Sequence, residues 1–316
     1  MSFPIDVVIK ILCELPLEQI FACSAISKRV NNALKLPIFA KTYQLLTGRK
    51  FNWLLYFILR YPEKDWDWGW LSQNPNITWE IVRAYPNKPW KFNNLSGNPN
   101  ITWEIIQNNL DKEWDWYAVS YNPNITWKIV QANPDKKWNW YSLSRNPNIT
   151  WEIVLNNPDK EWYWPGLSRN PNITPEIVSN NSNQYWDWYR YGLSNNLNIT
   201  WEFIQDNLDK SWCWSRLSEN PNITWEIIQQ NPDKNWDWYY LSQNPIITWE
   251  IIQANPYKKW DWYSLSRNPN ITWEIVQANP NKPWDWAGLS ANPSITWEIV
   301  SNNPDSPWSY HDLSLK

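Results

Sequence analysis

Apolar residues recur along most of this chain in a fixed pattern with a period of 24 residues. From about Trp66 onward, most units carry an Ile-Thr-Trp segment with two further apolar residues, then a Trp-x-Trp segment, then a Leu-Ser pair. Only one step between units, from Thr174 to Thr200, departs from 24 residues. A period of this length is typical of a solenoid, in which neighbouring units bury each other's apolar faces.

Each unit predicts two short helices. Thr272 fits an N-cap, because its hydroxyl can accept a hydrogen bond from a free backbone N–H of the first turn, and Ile271 and Val276 flank it as a hydrophobic staple. Asp261 fits the same role before the Trp-x-Trp helix. The helices end at Asn-Pro pairs, since a residue before proline is pushed out of the α region. The pattern therefore predicts an all-α, two-helix repeat with helices of about two turns.

The tryptophans follow the same register. Of 31 in the chain, all but Trp53 and Trp70 fall on three repeat positions. Aromatic side chains bury the largest area per residue, so we interpret the array as the core between repeats. An aromatic ladder that stacks sugars or bases is the alternative. A serine that follows the leucine of the second helix recurs in every unit and indicates a tight helix contact.

Recognition is better sought where the repeats differ. The third and sixth positions of the second helix vary from unit to unit, and helical spacing predicts that both face outward. Drift on a solvated face is the alternative explanation. The candidate target-binding residues on this stripe are Trp70, Gln73, Tyr121, Arg145, Arg169, Arg216, Glu219, Tyr240 and Arg267.

One unit is irregular. Pro175 replaces the usual tryptophan, and Arg190 and Tyr191 form a two-residue insertion before the Gly-Leu-Ser segment. This unit predicts a kink or bulge.

The N-terminal residues do not repeat. Residues 3–20 read FPIDVVIKILCELPLEQI and residues 25–31 read AISKRVN. This string resembles the F-box, although Phe3 stands where that family usually has Leu and Val30 where it usually has Trp. The resemblance implies three short helices that dock on the Skp-type adaptor of a cullin–RING ubiquitin ligase. The implied adaptor-binding residues are Phe3, Pro4, Ile11, Leu12, Leu15, Pro16, Ile20, Ile26, Lys28 and Val30.

The repeats resemble the Asn-Pro and Trp-x-Trp arrays that follow F-boxes in proteins of giant DNA viruses. We therefore expect an F-box-like module at residues 1–46, a linking helix and degenerate first repeat at 47–65, and an αα-solenoid of about ten repeats with a partial last repeat at 66–316. Ten units at roughly 8–10 Å each give an arc on the order of 100 Å.

The implied function is that of a non-catalytic substrate-recognition adaptor of an SCF-type ubiquitin ligase, with the Skp-type adaptor, a cullin and an unknown protein target as partners. A scaffold or virion-associated interaction protein is the alternative. A third is nucleic-acid binding along a lysine row, since a lysine recurs at one repeat position, but the net charge of −3 argues against it. The row comprises Lys64, Lys88, Lys112, Lys136, Lys160, Lys210, Lys234, Lys258 and Lys282.

Composition bounds the remaining options. No apolar run approaches the roughly 20 residues of a membrane span, and no signal peptide is evident, so we expect a monomeric cytoplasmic or nuclear protein, in the host cytoplasm if viral. Cys13, Cys23 and Cys213 have no paired spacing, and His311 is the sole histidine. No phosphate-binding loop or nucleophile–base motif is present. We therefore expect no cofactor, no metal and no enzymatic activity.

Overall fold

The computed structural model describes residues 8–9, 12, 15, 30 and 52–315. Over residues 52–315 it is entirely helical, and twenty-one α-helices and one 3₁₀ helix pair up as eleven two-helix units. The predicted all-α fold with two helices per repeat is confirmed. No helix in the described part of the chain is long and apolar enough to cross a membrane.

The units begin with a first helix and end with a second helix. The first helices are α1 (Trp53–Arg60), α3 (Trp79–Ala84), α5 (Trp103–Gln107), α7 (Trp127–Ala132), α9 (Trp151–Asn156), α11 (Pro175–Asn180), α12 (Trp201–Gln205), α14 (Trp225–Gln230), α16 (Trp249–Ala254), α18 (Trp273–Ala278) and α20 (Trp297–Asn302). The second helices are α2 (Trp68–Gln73), α4 (Phe92–Leu95), α6 (Trp116–Tyr121), α8 (Trp140–Leu143), α10 (Trp164–Ser168), the 3₁₀ helix (Leu193–Asn195), α13 (Trp214–Leu217), α15 (Trp238–Gln243), α17 (Trp262–Arg267), α19 (Trp286–Ala291) and α21 (Tyr310–Leu313).

The predicted caps are present. The hydroxyl of Thr102 accepts a hydrogen bond from the backbone N–H of Ile105 at 3.4 Å, and the carboxylate of Asp261 accepts one from Ser264 at 2.8 Å. These bonds satisfy donors that the first turn of a helix leaves free. Local side-chain chemistry therefore fixes where most helices begin, although the second helices that follow Lys91, Tyr163 and Cys213 have no side-chain cap.

The asparagine of the Asn-Pro pair after each second helix is buried and joins successive units. The side-chain amide of Asn146 donates to the carbonyls of Ser120, Asn122 and Ile125 in the preceding unit, at 2.9, 3.1 and 3.2 Å. Its side-chain oxygen accepts from the N–H of Asn148 at 2.8 Å. The sequence predicted only that this asparagine ends a helix. Its amide also pairs the buried Ser120 carbonyl and adds a second hydrogen bond to the Asn122 and Ile125 carbonyls, which also accept from Ile125 and Asn148.

The recurrent serine forms a second link between units. Ser144 donates its hydroxyl proton to the Trp140 carbonyl at 2.7 Å, and the same oxygen accepts from the N–H of Tyr163 in the next unit at 2.9 Å. Ser144 is fully buried. The expected tight contact is confirmed, and the hydroxyl adds a hydrogen bond that alanine could not supply.

The tryptophans pack between units. Trp140 and Trp162 meet edge to face with ring centroids 5.1 Å apart, and Trp127 lies 5.7 Å from Trp162. The indole N–H of Trp162 donates to the Asn157 carbonyl at 2.8 Å, which satisfies its polar atom. The same arrangement recurs along the array, as at Trp273, Trp286 and Trp308. The packing interpretation of the tryptophans is confirmed.

The two ends of the array meet. The hydroxyl of Ser314 accepts from the N–H of Asp67 at 3.2 Å, and the amide of Asn74 donates to the Ser314 carbonyl at 3.0 Å. Tyr310 and Trp66 pack edge to face at 5.2 Å. The serine contact is the one that every unit makes with the next, and the asparagine contact recurs between most units. The eleven units therefore close into a ring, a curvature that the predicted arc did not specify.

The second helices form the inner wall of this ring. Successive second helices pack directly against each other, whereas clefts of about 260–420 Å³ lie between units on the side of the first helices. Elements on the inner circumference of a ring must be closer together than those outside. Eleven helices at roughly 8–10 Å spacing place their axes on a circle with a radius of about 16 Å.

The irregular unit contains the expected bulge. The 3₁₀ helix replaces the α-helix found at this place in other units, and Ser194 donates to the carbonyl of Trp188, six residues back instead of four. Tyr189 and Tyr191 are both 57% exposed. A Cβ atom on Gly192 would lie 2.0 Å from the Asp187 carbonyl oxygen, so only glycine fits there.

Opening the ring tests its closure. We expect Tyr310→Ala/Ser314→Val to separate the ends of the array, because it removes an aromatic pair and a hydrogen-bond acceptor. Loss of the Tyr310 side chain alone should cost roughly 3–5 kcal/mol. Small-angle scattering should then report a larger radius of gyration. The matched control is Trp286→Ala/Ser290→Val, one unit earlier, which should lower stability and leave the ends joined. Equal radii for both variants would contradict the prediction.

The buried asparagines should contribute more to the free energy of unfolding than any exposed asparagine. Asn146→Ala removes the donor to the buried Ser120 carbonyl and the acceptor for the Asn148 N–H, and it weakens the bonding of the Asn122 and Ile125 carbonyls, so we expect the free energy of unfolding to fall by about 3 kcal/mol. Asn156→Ala changes an exposed residue of α9 and should cost less than about 0.5 kcal/mol. Urea unfolding of both variants measures the difference in the free energy of unfolding. Equal losses in the two variants would contradict a stabilising role of the buried asparagines between units.

The bulge should exchange its amide protons quickly. We expect weaker protection over residues 188–195 than over residues 140–146, the regular counterpart, because the insertion replaces α-helical hydrogen bonds with exposed backbone. Hydrogen exchange followed by mass spectrometry compares the two segments. Uniform protection across residues 175–200 would refute this expectation.

Candidate functional site: the N-terminal segment and the inner wall

Three of the ten predicted adaptor-binding residues are described by the structure. Leu12 is only 2% exposed and belongs to the same buried apolar cluster as Leu54 and Ile58. Leu15 and Val30 are half-buried. Leu12 therefore serves the core of the chain itself, and Leu15 and Val30 pack against the same cluster while remaining partly exposed. The other seven lie outside the described residues: Phe3, Pro4, Ile11, Pro16, Ile20, Ile26 and Lys28.

The nine predicted target-binding residues lie on second helices of the inner wall. Trp70, Gln73 and Tyr121 are exposed, and the others are half-buried: Arg145, Arg169, Arg216, Glu219, Tyr240 and Arg267. They do not form one group. Trp70 and Gln73 belong to α2, and Arg267 belongs to α17, away from the residues of the middle units.

The third position of the second helix does not face outward in every unit. Ser142, Gly166, Ser264 and Gly288 are buried at this position, so the expectation of a uniformly outward third position is wrong. A Cβ atom on Gly288 would lie 2.8 Å from the Cβ of Ser266. Small residues here let adjacent second helices approach closely, and only bulky residues such as Trp70 project from the wall.

Arginine and tyrosine side chains converge in the middle units. The guanidinium of Arg145 lies over the rings of Tyr121 and Tyr141, at 5.2 and 5.8 Å from their centroids. Tyr141 in turn packs against Tyr117 at 5.8 Å and Tyr163 at 4.6 Å. The tyrosines thus form a continuous row across three units, held on one side by Arg145.

Two more arginines extend this group. Burial, and then the positive charge of Arg145, lowers the pKa of Arg169; Arg216 contributes in the same direction. The side-chain amide of Asn195, in the orientation that satisfies its hydrogen bonds, accepts from Arg169 at 3.3 Å. Arg216 pairs with Glu219 at 3.2 Å and lies over the ring of Tyr240 at 5.1 Å.

We call this group the Arg–Tyr patch: Tyr117, Tyr121, Tyr141, Arg145, Tyr163, Arg169, Arg216 and Tyr240. Sequence reasoning missed Tyr117, Tyr141 and Tyr163, because it considered only the third and sixth helix positions. Tyr117 and Tyr141 occupy the second position, where tyrosine also stands at Tyr189, Tyr239 and Tyr263, and Tyr163 stands at the cap. That recurrence was the available signal.

The lysine row makes contacts between units. The ammonium of Lys112 lies 5.8 Å from the ring of Phe92 and that of Lys258 lies 5.6 Å from the ring of Trp238, each in the preceding unit. Lys136 and Lys160 pair with Asp135 and Asp159 at 2.9 and 2.7 Å. Hydrogen bonds from these lysines lower the pKa of the two carboxyls. This row is therefore engaged within the ring, which weakens the nucleic-acid alternative.

Candidate catalytic chemistry is sparse in the residues that the structure describes. They contain no group of three His, Cys, Asp or Glu side chains that could hold a metal ion. His311 lies 3.5 Å from Asp67, where the ring closes. Cys213 is buried, and its thiol lies 3.2 Å from the hydroxyl of Ser215.

Comparison with known proteins identifies one region. Residues 1–42 match the family model of the F-box domain, which confirms the sequence resemblance and ends four residues before the predicted boundary. No curated protein and no solved structure matches the chain. The resemblance of the repeats to giant-virus arrays thus gains no support from relatives. The chain combines an F-box domain at residues 1–42 with a closed ring of Trp-rich two-helix repeats.

Proposed function

We propose that this protein is the substrate-recognition subunit of an SCF-type cullin–RING ubiquitin ligase. The observation that carries the proposal is the F-box match at residues 1–42. An F-box implies binding to a Skp-type adaptor, which in turn joins the cullin. The ring follows the F-box in the chain and provides the surface for a protein target.

The two regions would divide the work. The F-box domain supplies attachment to the ligase, and the ring selects the target and presents its lysines to the charged conjugating enzyme. The chain's own contribution to catalysis is then proximity, because bringing two reactants together raises their effective concentration. No catalytic group of this chain takes part in that scheme.

Stiffness supports such a role. Buried asparagine amides, serine hydroxyls and tryptophan pairs tie each unit to the next, and the closing contacts of Ser314 tie the last unit to the first. A target held on the inner wall would meet a surface whose side chains are already positioned. Preorganisation of this kind reduces the entropy cost of binding.

Calorimetry with a purified Skp-type adaptor tests the proposal. We expect the full chain to bind and Leu15→Asp to weaken binding at least roughly a hundredfold, because a carboxylate would be desolvated in an apolar interface. Leu15 is chosen over Leu12 because Leu12 is fully buried in the core, whereas Leu15 packs against that core and remains partly exposed. The matched control is Tyr257→Asp, which adds the same charge at a residue that is 98% exposed.

Circular dichroism and thermal unfolding should show that both variants fold as the parent does. Loss of adaptor binding in Leu15→Asp alone supports the proposal. Failure of the parent chain to bind the adaptor overturns it and favours the scaffold alternative.

A further inference from the structure

The Arg–Tyr patch has an excess of positive charge. Its guanidinium groups belong to Arg145, Arg169 and Arg216, and Glu219 pairs with Arg216. The nearby carboxylate of Asp187 accepts from the N–H of Tyr189 at 3.0 Å and keeps its negative charge, so three guanidinium groups against two carboxylates leave a net charge of +1. Like charges brought together on a protein surface repel each other, and an anionic ligand would relieve that repulsion.

The arrangement of the aromatic rings narrows the class of anion. Single-stranded nucleic acids bind by stacking bases on free ring faces. Here the rings of Tyr117, Tyr141 and Tyr163 pack on one another, and Arg145 covers Tyr121 and Tyr141. The patch therefore offers guanidinium groups, hydroxyls and ring edges, which suit carboxylates better than bases.

The size of the patch points to a short segment. Arg145 and Arg216 belong to second helices three units apart along the inner wall. On a circle of about 16 Å radius, the axes of these helices lie about 24 Å apart in a straight line, which an extended peptide of about seven or eight residues spans. Arg267, two units farther on, lies over Tyr263 of its own helix and stands outside the patch.

We propose that the Arg–Tyr patch binds an acidic, extended peptide segment of the target protein, with Arg145 and Arg169 as its principal contacts. That the peptide belongs to a ubiquitination target rests on the proposed function, whereas peptide binding itself does not depend on it. Aspartate and glutamate carboxylates accept hydrogen bonds from the guanidinium groups, and the tyrosine row keeps Arg145 in place. Arg216 shares its charge with Glu219 and contributes less.

Fluorescence anisotropy tests this on the full chain with a labelled octapeptide of glutamates and aspartates. We expect binding that weakens as salt is raised, since exposed charges are screened. The double variant Arg145→Gln/Arg169→Gln should weaken it at least roughly tenfold. The control Arg267→Gln changes an arginine at the same repeat position outside the patch and should stay within about twofold of the parent.

Three results would overturn the proposal: no binding of the acidic octapeptide, an equal loss in Arg267→Gln, or tighter binding of an oligonucleotide of equal charge than of the peptide. Adaptor calorimetry on the same proteins separates the two proposals. Adaptor binding without peptide binding refutes only the proposal that the Arg–Tyr patch binds an acidic peptide. Peptide binding without adaptor binding refutes only the proposed function in a ubiquitin ligase.

Discussion

The buried asparagine amide between successive units is the interaction on which the rest of the structure depends. Helices of one or two turns are not stable alone, so each unit must order its neighbour. Close packing of units buries the carbonyls at the end of a second helix, and an unpaired buried carbonyl destabilises the fold. One amide, such as that of Asn146, reaches three of them. Tryptophan packing adds area, while these directional bonds set the register.

The starts and ends of the helices could be predicted from the sequence, because caps and helix ends depend on residues that are neighbours in the chain. Thr272 and Asp261 cap their helices as expected. Ring closure could not be predicted from the sequence, because curvature accumulates from small differences in spacing between the inner and the outer helices. The small third-position residues that bring the inner helices together, Gly288 among them, looked like variation within the sequence.

The two candidate sites could be predicted from the sequence to different degrees. The F-box was recognised from its residues, and the family match agrees, while most of its predicted adaptor contacts lie outside the described residues. The sixth-position arginines were found because they vary between units. Tyr141 lies four residues before Arg145 on the same helical stripe and was missed because only the third and sixth positions were considered. Tyr117 and Tyr163 were missed because they contact Tyr141 from the neighbouring units. Such contacts arise between units and leave no trace in the spacing within one unit.

Closure by the contacts of Ser314 also fixes the number of repeats. An open array can lengthen by duplication, because each added unit meets the same two neighbours. A ring of eleven units turns by about 33° per unit, and a twelfth would require about 30° at every interface. One duplicated segment would therefore alter all the interfaces at once, so copy number in this protein is a structural property that selection for a folded ring would hold constant.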